Sequence, residues 1–358
     1  MLISNLTFVV TEQCNFNCTY CPQTKNKQTL PLNLIETAVN FFYPFLKRDK
    51  KIHVGFYGGE PLLAFEQIRR TALHLLGKNQ TGHKEMEFSL TTNGSLLTDE
   101  MLEFFNRCRF SLTLSFDGLA QEMGREKGSL EKTLRVMKRI REHPGINFEI
   151  NSVFSPLTVP LLADSLRFII EQGGPEITFT LSALEYWNPQ AMETLKKELQ
   201  RLTDFLAIYY KENGKIPVKN FQAQAADVNR GVFRCSAGNE QMSLAPDGKV
   251  WGCFLFHDYF KTRQDDPQYW DYCFGDLGDF IENYGSRYVE KLVNYCQLQQ
   301  DLFQVEGEFC FLCKELPGCM VCPVYAAYST GALGKISCRH CALMRTQSRA
   351  FSFFKERE

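Results

Sequence analysis

The 358-residue sequence carries almost no net charge, with 40 Lys and Arg against 41 Asp and Glu. That balance leaves no electrostatic footprint for nucleic acid or for an anionic membrane surface, and neither is expected as a partner. No run approaches the roughly 18 apolar residues that span a bilayer. The N-terminal MLISNLTFVV lacks a basic segment and reads as a strand instead of an export signal. A chain without that signal is expected in the cytoplasm, where thiols stay reduced. Against these absences stands one excess, 14 cysteines. In a reducing compartment they argue for metal clusters over disulfides, and hence for oxygen sensitivity. The remaining composition, 44% hydrophobic and 23% charged, is ordinary for a globular protein, and 30 phenylalanines suit a well-filled core.

From residue 1 to about 213 the hydrophobic pattern alternates between period two and period 3.6. Strands are expected at Leu6–Val10, Ile52–Tyr57, Met86–Thr92, Phe110–Phe116, Phe148–Phe154 and Ile177–Leu181. Helical faces lie between them: Leu34, Ala38, Phe42 and Phe45; Ile68, Ala72 and Leu75; Leu130, Leu134, Met137 and Ile140. Thr98 before Asp99 and Glu100 reads as an N-cap. Gly173-Gly174-Pro175 stops the fifth helix. Six strand–helix units imply parallel strands joined by right-handed crossovers. They are too few to close an eight-stranded barrel, so the expected fold is α/β, an open, partial (βα)6 TIM-like barrel.

Such architectures carry their chemistry in loops at the carboxyl ends of strands. After the first strand comes CNFNCTYC, which places Cys14, Cys18 and Cys21 at C-x3-C-x2-C spacing. Iron–sulfur cubanes take one thiolate per iron, so three thiolates leave one iron open to a ligand that is not protein. The second strand ends in YGGEP (Tyr57–Pro61), the third in Asn93-Gly94 and the fourth in Ser115-Phe116-Asp117-Gly118, and the fifth carries Asn151, Ser152 and Ser155. Each of these could be an ordinary turn. Together on one rim they suit ligand binding. Gly58 and Gly59 let the backbone approach a bound group closely, Glu60 can accept hydrogen bonds from an ammonium, and Asn93 and Ser115 can bond hydroxyls or a carboxylate.

The three-cysteine loop, with Tyr20 before its last cysteine, resembles the cluster loop of radical SAM enzymes. In that superfamily the open iron of a 4Fe-4S cluster is chelated by S-adenosylmethionine (SAM). By the same resemblance GGEP holds the methionine amine, Asn93 meets the ribose, and Ser115 and Arg125 contact the ribose or the carboxylate. The resemblance covers the chain to about residue 213.

Past a loose stretch at Asn213–Gly231 the cysteines return. Cys235 is followed by APDGKVWGC, ending at Cys253, then by Cys310-x2-Cys313, Cys319-x2-Cys322 and Cys338-x2-Cys341. Eight cysteines can hold two four-ligand sites, of zinc or of iron and sulfur. Cys108, Cys273 and Cys296 read as buried thiols. The order of the eight resembles the SPASM domain, which binds one or two auxiliary 4Fe-4S clusters. That resemblance assigns Cys235, Cys253 and Cys322 to the first auxiliary cluster. It assigns Cys310, Cys313, Cys319 and either Cys338 or Cys341 to the second; Cys341 is favoured because the helix-like segment Ala342–Phe354 follows it. Two departures stand out: Cys322 falls one residue early, and two cysteines end the series where one is expected. The first set then has three clear ligands, and is either open to substrate or completed by Cys273 or another residue. The expected domains are a barrel at 1–213, a linker at 214–234, a SPASM domain at 235–345 and a helical tail at 346–358.

The resemblance implies an enzyme that cleaves SAM reductively and abstracts hydrogen from a peptide or small protein. The product would be a thioether or carbon–carbon cross-link, or an oxidised residue. Formylglycine formation of the sulfatase-maturase kind is the weaker expectation, because Phe254 follows Cys253 where that family carries Asp. Oxidation of a small alcohol is a further alternative, and a zinc-stabilised binding scaffold is the non-enzyme one. His257 and Asp258 are candidate acid or base groups, or else surface residues of a loop. No peptide-recognition domain precedes the first strand, so a separate leader-peptide-binding protein is an expected partner, with a flavodoxin or ferredoxin as reductant.

Overall fold

The computed structural model describes residues 1–80, 83–182, 184–222, 235–301, 304–305, 308–314, 319 and 321–351. The six expected strands form with ends shifted by at most one residue: β1 (Asn5–Thr11), β2 (Ile52–Gly58), β3 (Met86–Thr92), β4 (Ser111–Ser115), β5 (Asn147–Phe154) and β6 (Glu176–Leu181). They pair in parallel in sequence order. Helices Leu32–Phe42, Phe65–Asn79, Asp99–Arg107, Leu130–Arg141 and Leu162–Glu171 run between them and bury the apolar faces read from the sequence. Thr98 caps its helix by accepting from the Met101 N–H at 3.2 Å. Gly173, at a φ of 77°, follows the end of the fifth.

The sheet does not stop at six strands. β7 (Gln241–Leu244) pairs in parallel with the free side of β1, and β8 (Lys249–Trp251) and β9 (Cys273–Asp276) extend it antiparallel, giving the order β6-β5-β4-β3-β2-β1-β7-β8-β9. These added strands are three or four residues long, too short for a period-two pattern to register. Their pairing moves β1 from an edge to the interior of the sheet. Six of its seven residues are buried, as suits a parallel strand covered on both faces. The cysteine loop that leaves β1 is therefore anchored at mid-sheet. A register shift between Val9 and Thr11 brings Thr11 opposite Gly58 and re-aims the chain into that loop.

Phenylalanines fill the core as expected: Phe8, Phe56, Phe88 and Phe110 stack with centroids 5.3–6.4 Å apart. The outer edge of β6 is covered. Asn220, in the first part of the expected linker, accepts from the Phe179 N–H at 2.9 Å and donates to the Phe179 carbonyl at 3.0 Å, blocking further strand pairing. The rest of that linker, 223–234, lies outside the described residues, as does most of the expected tail. A helix begins at Cys338 and runs to Phe351, earlier than expected, and Phe351 packs on Phe179 and Phe221. This helix packs beside the β6 end of the sheet. Among the described residues no helix is long and apolar enough to cross a membrane.

Candidate active site

The carboxyl ends of β1 to β6 surround a cavity of about 400 Å³. Cys14, Cys18 and Cys21 line it together with Tyr20, Gly58, Gly59, Glu60, Asn93, Ser115 and Arg125. The residues read from four separate strand ends thus share one concave space.

The cysteine loop is fastened to each neighbouring loop. Thr11 accepts from the Gly59 N–H at 3.1 Å, and Gln13 from the Glu60 N–H at 2.8 Å. The paired glycines serve this contact. A Cβ at Gly58 would sit 2.1 Å from the Thr11 carbonyl oxygen, and one at Gly59 would sit 2.3 Å from the Gln13 oxygen and 2.9 Å from the Cys14 Cβ. The close approach they permit is that of the protein's own cysteine loop. Asn15 joins Asn93 and Ser95 in a small ring of hydrogen bonds at 2.6–3.0 Å. Thr19 donates its N–H to the Gly124 carbonyl at 2.8 Å.

Glu60 is buried, and its carboxylate is already engaged. It accepts from the Leu62 N–H at 3.1 Å, the Thr92 hydroxyl at 2.7 Å and the Asn93 N–H at 2.8 Å. Burial raises its pKa above the ordinary carboxylate range even so. Its visible work is to fix the loops after β2 and β3, with about one acceptor position left for a ligand. Arg125 is engaged too. It forms a two-pronged pair with Asp117 at 2.9 and 2.8 Å, its guanidinium lies 5.4 Å from the Tyr20 ring centroid, and the Tyr20 hydroxyl donates to Asp117 at 2.6 Å. Asp117 also accepts from the Val153 N–H at 2.8 Å. This fully buried aspartate ties the cysteine loop, the loop after β4 and β5 into one unit. Sequence reading had it only as half of a turn dipeptide; its place at the end of β4, two residues past Ser115, was the available signal. Ser115 and Asn151, by contrast, face the cavity with no protein partner for their side-chain polar groups among the described residues.

His257 and Asp258 are not in a surface loop. They lie on the helix Phe254–Phe260 that starts directly after Cys253, and both are buried. His257 Nε2 meets Glu12 Oε1 at 2.5 Å, while Asp258 accepts from Gln23 and Lys261, each at 3.2 Å. Neither lines the main cavity; His257 borders a separate recess of about 150 Å³. The pair holds the cysteine loop against the C-terminal part of the chain. Burial alone would push the Glu12 pKa up, but the His257 hydrogen bond and the Lys261 charge bring it below the usual range.

The three loop thiols fit a cluster ligand set. They lie close enough for each charge to disfavour the next, and burial pushes Cys14 up and Cys18 up to about 11, the latter against the pull of Arg125. A cationic metal would reverse that penalty. The Phe16 N–H points at Cys14 Sγ at 3.5 Å, the kind of bond that tunes a bound thiolate. Farther along the chain, burial raises Cys235 to about 11 and Cys253 higher still, with Cys322 acting on both. Cys310 is raised by burial and then by Cys341 and Cys313. Cys322 also lines the main cavity. Of the three cysteines set aside, Cys273 is buried and Cys108 half-buried; Cys296, on the helix Tyr284–Asp301, is exposed, contrary to expectation.

The sequence pattern of the Radical SAM superfamily matches residues 8–159. The radical SAM cyclopropyl synthase TigE of Paramaledivibacter caminithermalis is 25% identical over 74% of this chain, which spans 60% of that protein's length. A GTP 3′,8-cyclase of Helicobacter pylori is 31% identical over 74% of this chain and 84% of its own. The solved structure of native anSMEcpe with bound AdoMet and Cp18Cys peptide superposes with a TM-score of 0.75 at 18% identity, covering 99% of this chain and 98% of that one. The chain belongs to the radical SAM superfamily. It is an enzyme of that class, and SAM and a 4Fe-4S cluster are its cofactors. Its fold, the cysteine-rich C-terminal part included, is that of anSMEcpe.

Proposed function

We propose that this enzyme modifies a peptide or small protein in the cytoplasm, oxidising an unactivated carbon and forming a cross-link, with a thioether as the favoured bond. One observation carries the reading: Cys322, of the first auxiliary set, lines the same cavity as Cys14, Cys18 and Cys21. Cys235, Cys253 and Cys322 make three thiols, so a four-iron cluster held there keeps one iron for a non-protein ligand. Cys273, the candidate fourth, is fully buried and accepts a hydrogen bond from the Tyr269 hydroxyl instead. A substrate cysteine thiolate suits the remaining iron. That anSMEcpe was solved with a bound peptide supports a peptide substrate.

When bound, SAM and its cluster supply one-electron cleavage and abstraction of hydrogen from carbon. The chain's own residues do the rest. Cys14, Cys18 and Cys21 would ligate the cluster. Ser115 and Asn151 offer unpaired hydrogen-bonding groups to the ribose or carboxylate of SAM. Asp117, Arg125, Tyr20, Glu60 and Asn93 act mainly as positioning residues, holding the loops to one another. Phe16, Phe179 and Phe351 exclude water from the cavity they line. Cys310, Cys313, Cys319 and Cys341 would hold the second auxiliary cluster. A separate leader-peptide-binding protein and a flavodoxin- or ferredoxin-type reductant belong to the same proposal. Formylglycine formation is the weaker alternative, since the Phe254 ring packs 3.9 Å from that of Tyr57 and supplies no acid or base there. The test is anaerobic incubation with SAM, dithionite and candidate neighbouring peptides, read by mass spectrometry. A peptide losing mass in units of two hydrogens supports the reading. Turnover of a free alcohol or nucleotide with every peptide unchanged refutes it.

A further inference from the structure

One wall of the cavity has no part in holding the loop of Cys14, Cys18 and Cys21. It is built from the end of β6 and one face of the helix Cys338–Phe351, on which His340, Met344, Gln347 and Phe351 recur at helical spacing and line the cavity. Across from them Ser182 follows β6. Its backbone is fixed: the N–H donates to the Phe154 carbonyl at 2.8 Å, and its own carbonyl accepts from Trp187 Nε1 at 2.7 Å. Its hydroxyl is buried, lines the cavity and has no partner among the described residues. A buried polar group left unpaired is costly, and native proteins rarely keep one without a use. The side chains of Gln347 and of His340, itself 6% exposed, likewise have no protein partner among the described residues.

The charges bordering the cavity are engaged by the protein. Glu60 has its three donors, Arg125 has Asp117, and Lys25 donates to the Phe16 carbonyl and to Asn17. Among the groups this wall leaves to meet a substrate are a hydroxyl, an amide and an imidazole, framed by Met344, Leu181 and Phe179.

We infer that this wall reads a neutral hydrogen-bonding side chain, an amide or a hydroxyl, on the substrate residue that is modified. Ser182, His340 and Gln347 are its specificity-determining residues. The inference rests on the peptide reading above and names the chemical class of the residue presented. A site built to satisfy a polar side chain discriminates strongly against an analogue that leaves its own buried groups unpaired.

The test uses the full chain, reconstituted anaerobically with iron and sulfide, and blocked pentapeptides Ac-Ala-Ala-X-Ala-Ala-amide with GTP as a further probe. Binding is read by thermal shift and turnover by 5′-deoxyadenosine formed. Peptides with Asn, Gln, Ser or Thr at X should bind at least about tenfold more tightly than those with Asp, Glu, Lys or Arg. Ser182→Ala and Gln347→Leu should each shrink that preference by about fivefold to tenfold, the loss of one hydrogen bond. Both lie clear of the cysteines, unlike His340. Iron content should hold in both, and the melting temperature of Ser182→Ala should be unchanged or higher, because the substitution removes an orphaned hydroxyl. Preference for a charged X, no binding by any peptide, or variants that keep the preference would overturn the inference. Turnover of peptides with a charged X leaves the peptide reading standing, whereas turnover of GTP alone removes both.

Discussion

Three residues show how the site is held before any cofactor arrives. Asp117 neutralises a buried guanidinium and accepts from Tyr20 and from the Val153 N–H. Asp117→Ala strands Arg125 without a counter-charge, and breaking a buried pair in this way costs about 3–5 kcal/mol. Chemical denaturation of the metal-free protein reads that loss; a change under about 1 kcal/mol would mean that the pair is not formed. Glu60→Ala leaves the Leu62 and Asn93 N–H groups and the Thr92 hydroxyl unpaired. We expect a loss of at least about 2 kcal/mol in the same assay, together with weaker SAM binding by calorimetry. Gly59→Ala places a methyl against the Gln13 carbonyl and the Cys14 Cβ. The cysteine loop must then shift, and iron bound per chain should fall by about one cubane. Full iron loading in Gly59→Ala would show that the loop tolerates a displacement the packing forbids.

At the scale of elements, much of the design was legible and the rest was hidden for identifiable reasons. Strands β1 to β6 each bury several consecutive or alternate residues, so periodicity finds them. The rim residues were legible because parallel sheets concentrate chemistry at one end. What periodicity could not show was which rim side chains are free. Glu60 and Arg125 look available in sequence, but Thr92, Asn93 and Asp117 already occupy them. The helix Phe254–Phe260 was hidden because seven residues barely make two turns, so His257 and Asp258 read as a loop. The helix expected at Ala342–Phe354 was legible, but its start at Cys338 and the cavity face at 340, 344, 347 and 351 were not, because spacing alone does not show what a helix faces. The hydrogen bond between Glu12 and His257 links the cysteine loop to the helix after Cys253. His257→Ala removes that link and leaves Glu12 buried without its main partner. It should cost about 1–3 kcal/mol in a denaturation titration, the range for a buried group that loses a hydrogen-bond partner, because Lys261 still lies near Glu12. Stability matching the parent would mean the two parts are joined by packing alone.

At the scale of the whole molecule, one nine-stranded sheet carries both cysteine regions, with β1 supplying the loop of Cys14, Cys18 and Cys21 and β8 leading into Cys253. The two regions reach one cavity, which both Cys21 and Cys322 line. If the cysteines hold separate iron–sulfur clusters around that cavity, the first set alone should support SAM chemistry. Iron and zinc counting on the anaerobically reconstituted chain, beside the Cys14→Ala/Cys18→Ala/Cys21→Ala variant and with 5′-deoxyadenosine measured in both, is the decisive measurement. We expect about two or three four-iron clusters in the parent, one fewer in the variant, and 5′-deoxyadenosine formed by the parent alone. A parent rich in zinc and poor in iron, or a triple variant that still forms 5′-deoxyadenosine, would contradict this expectation.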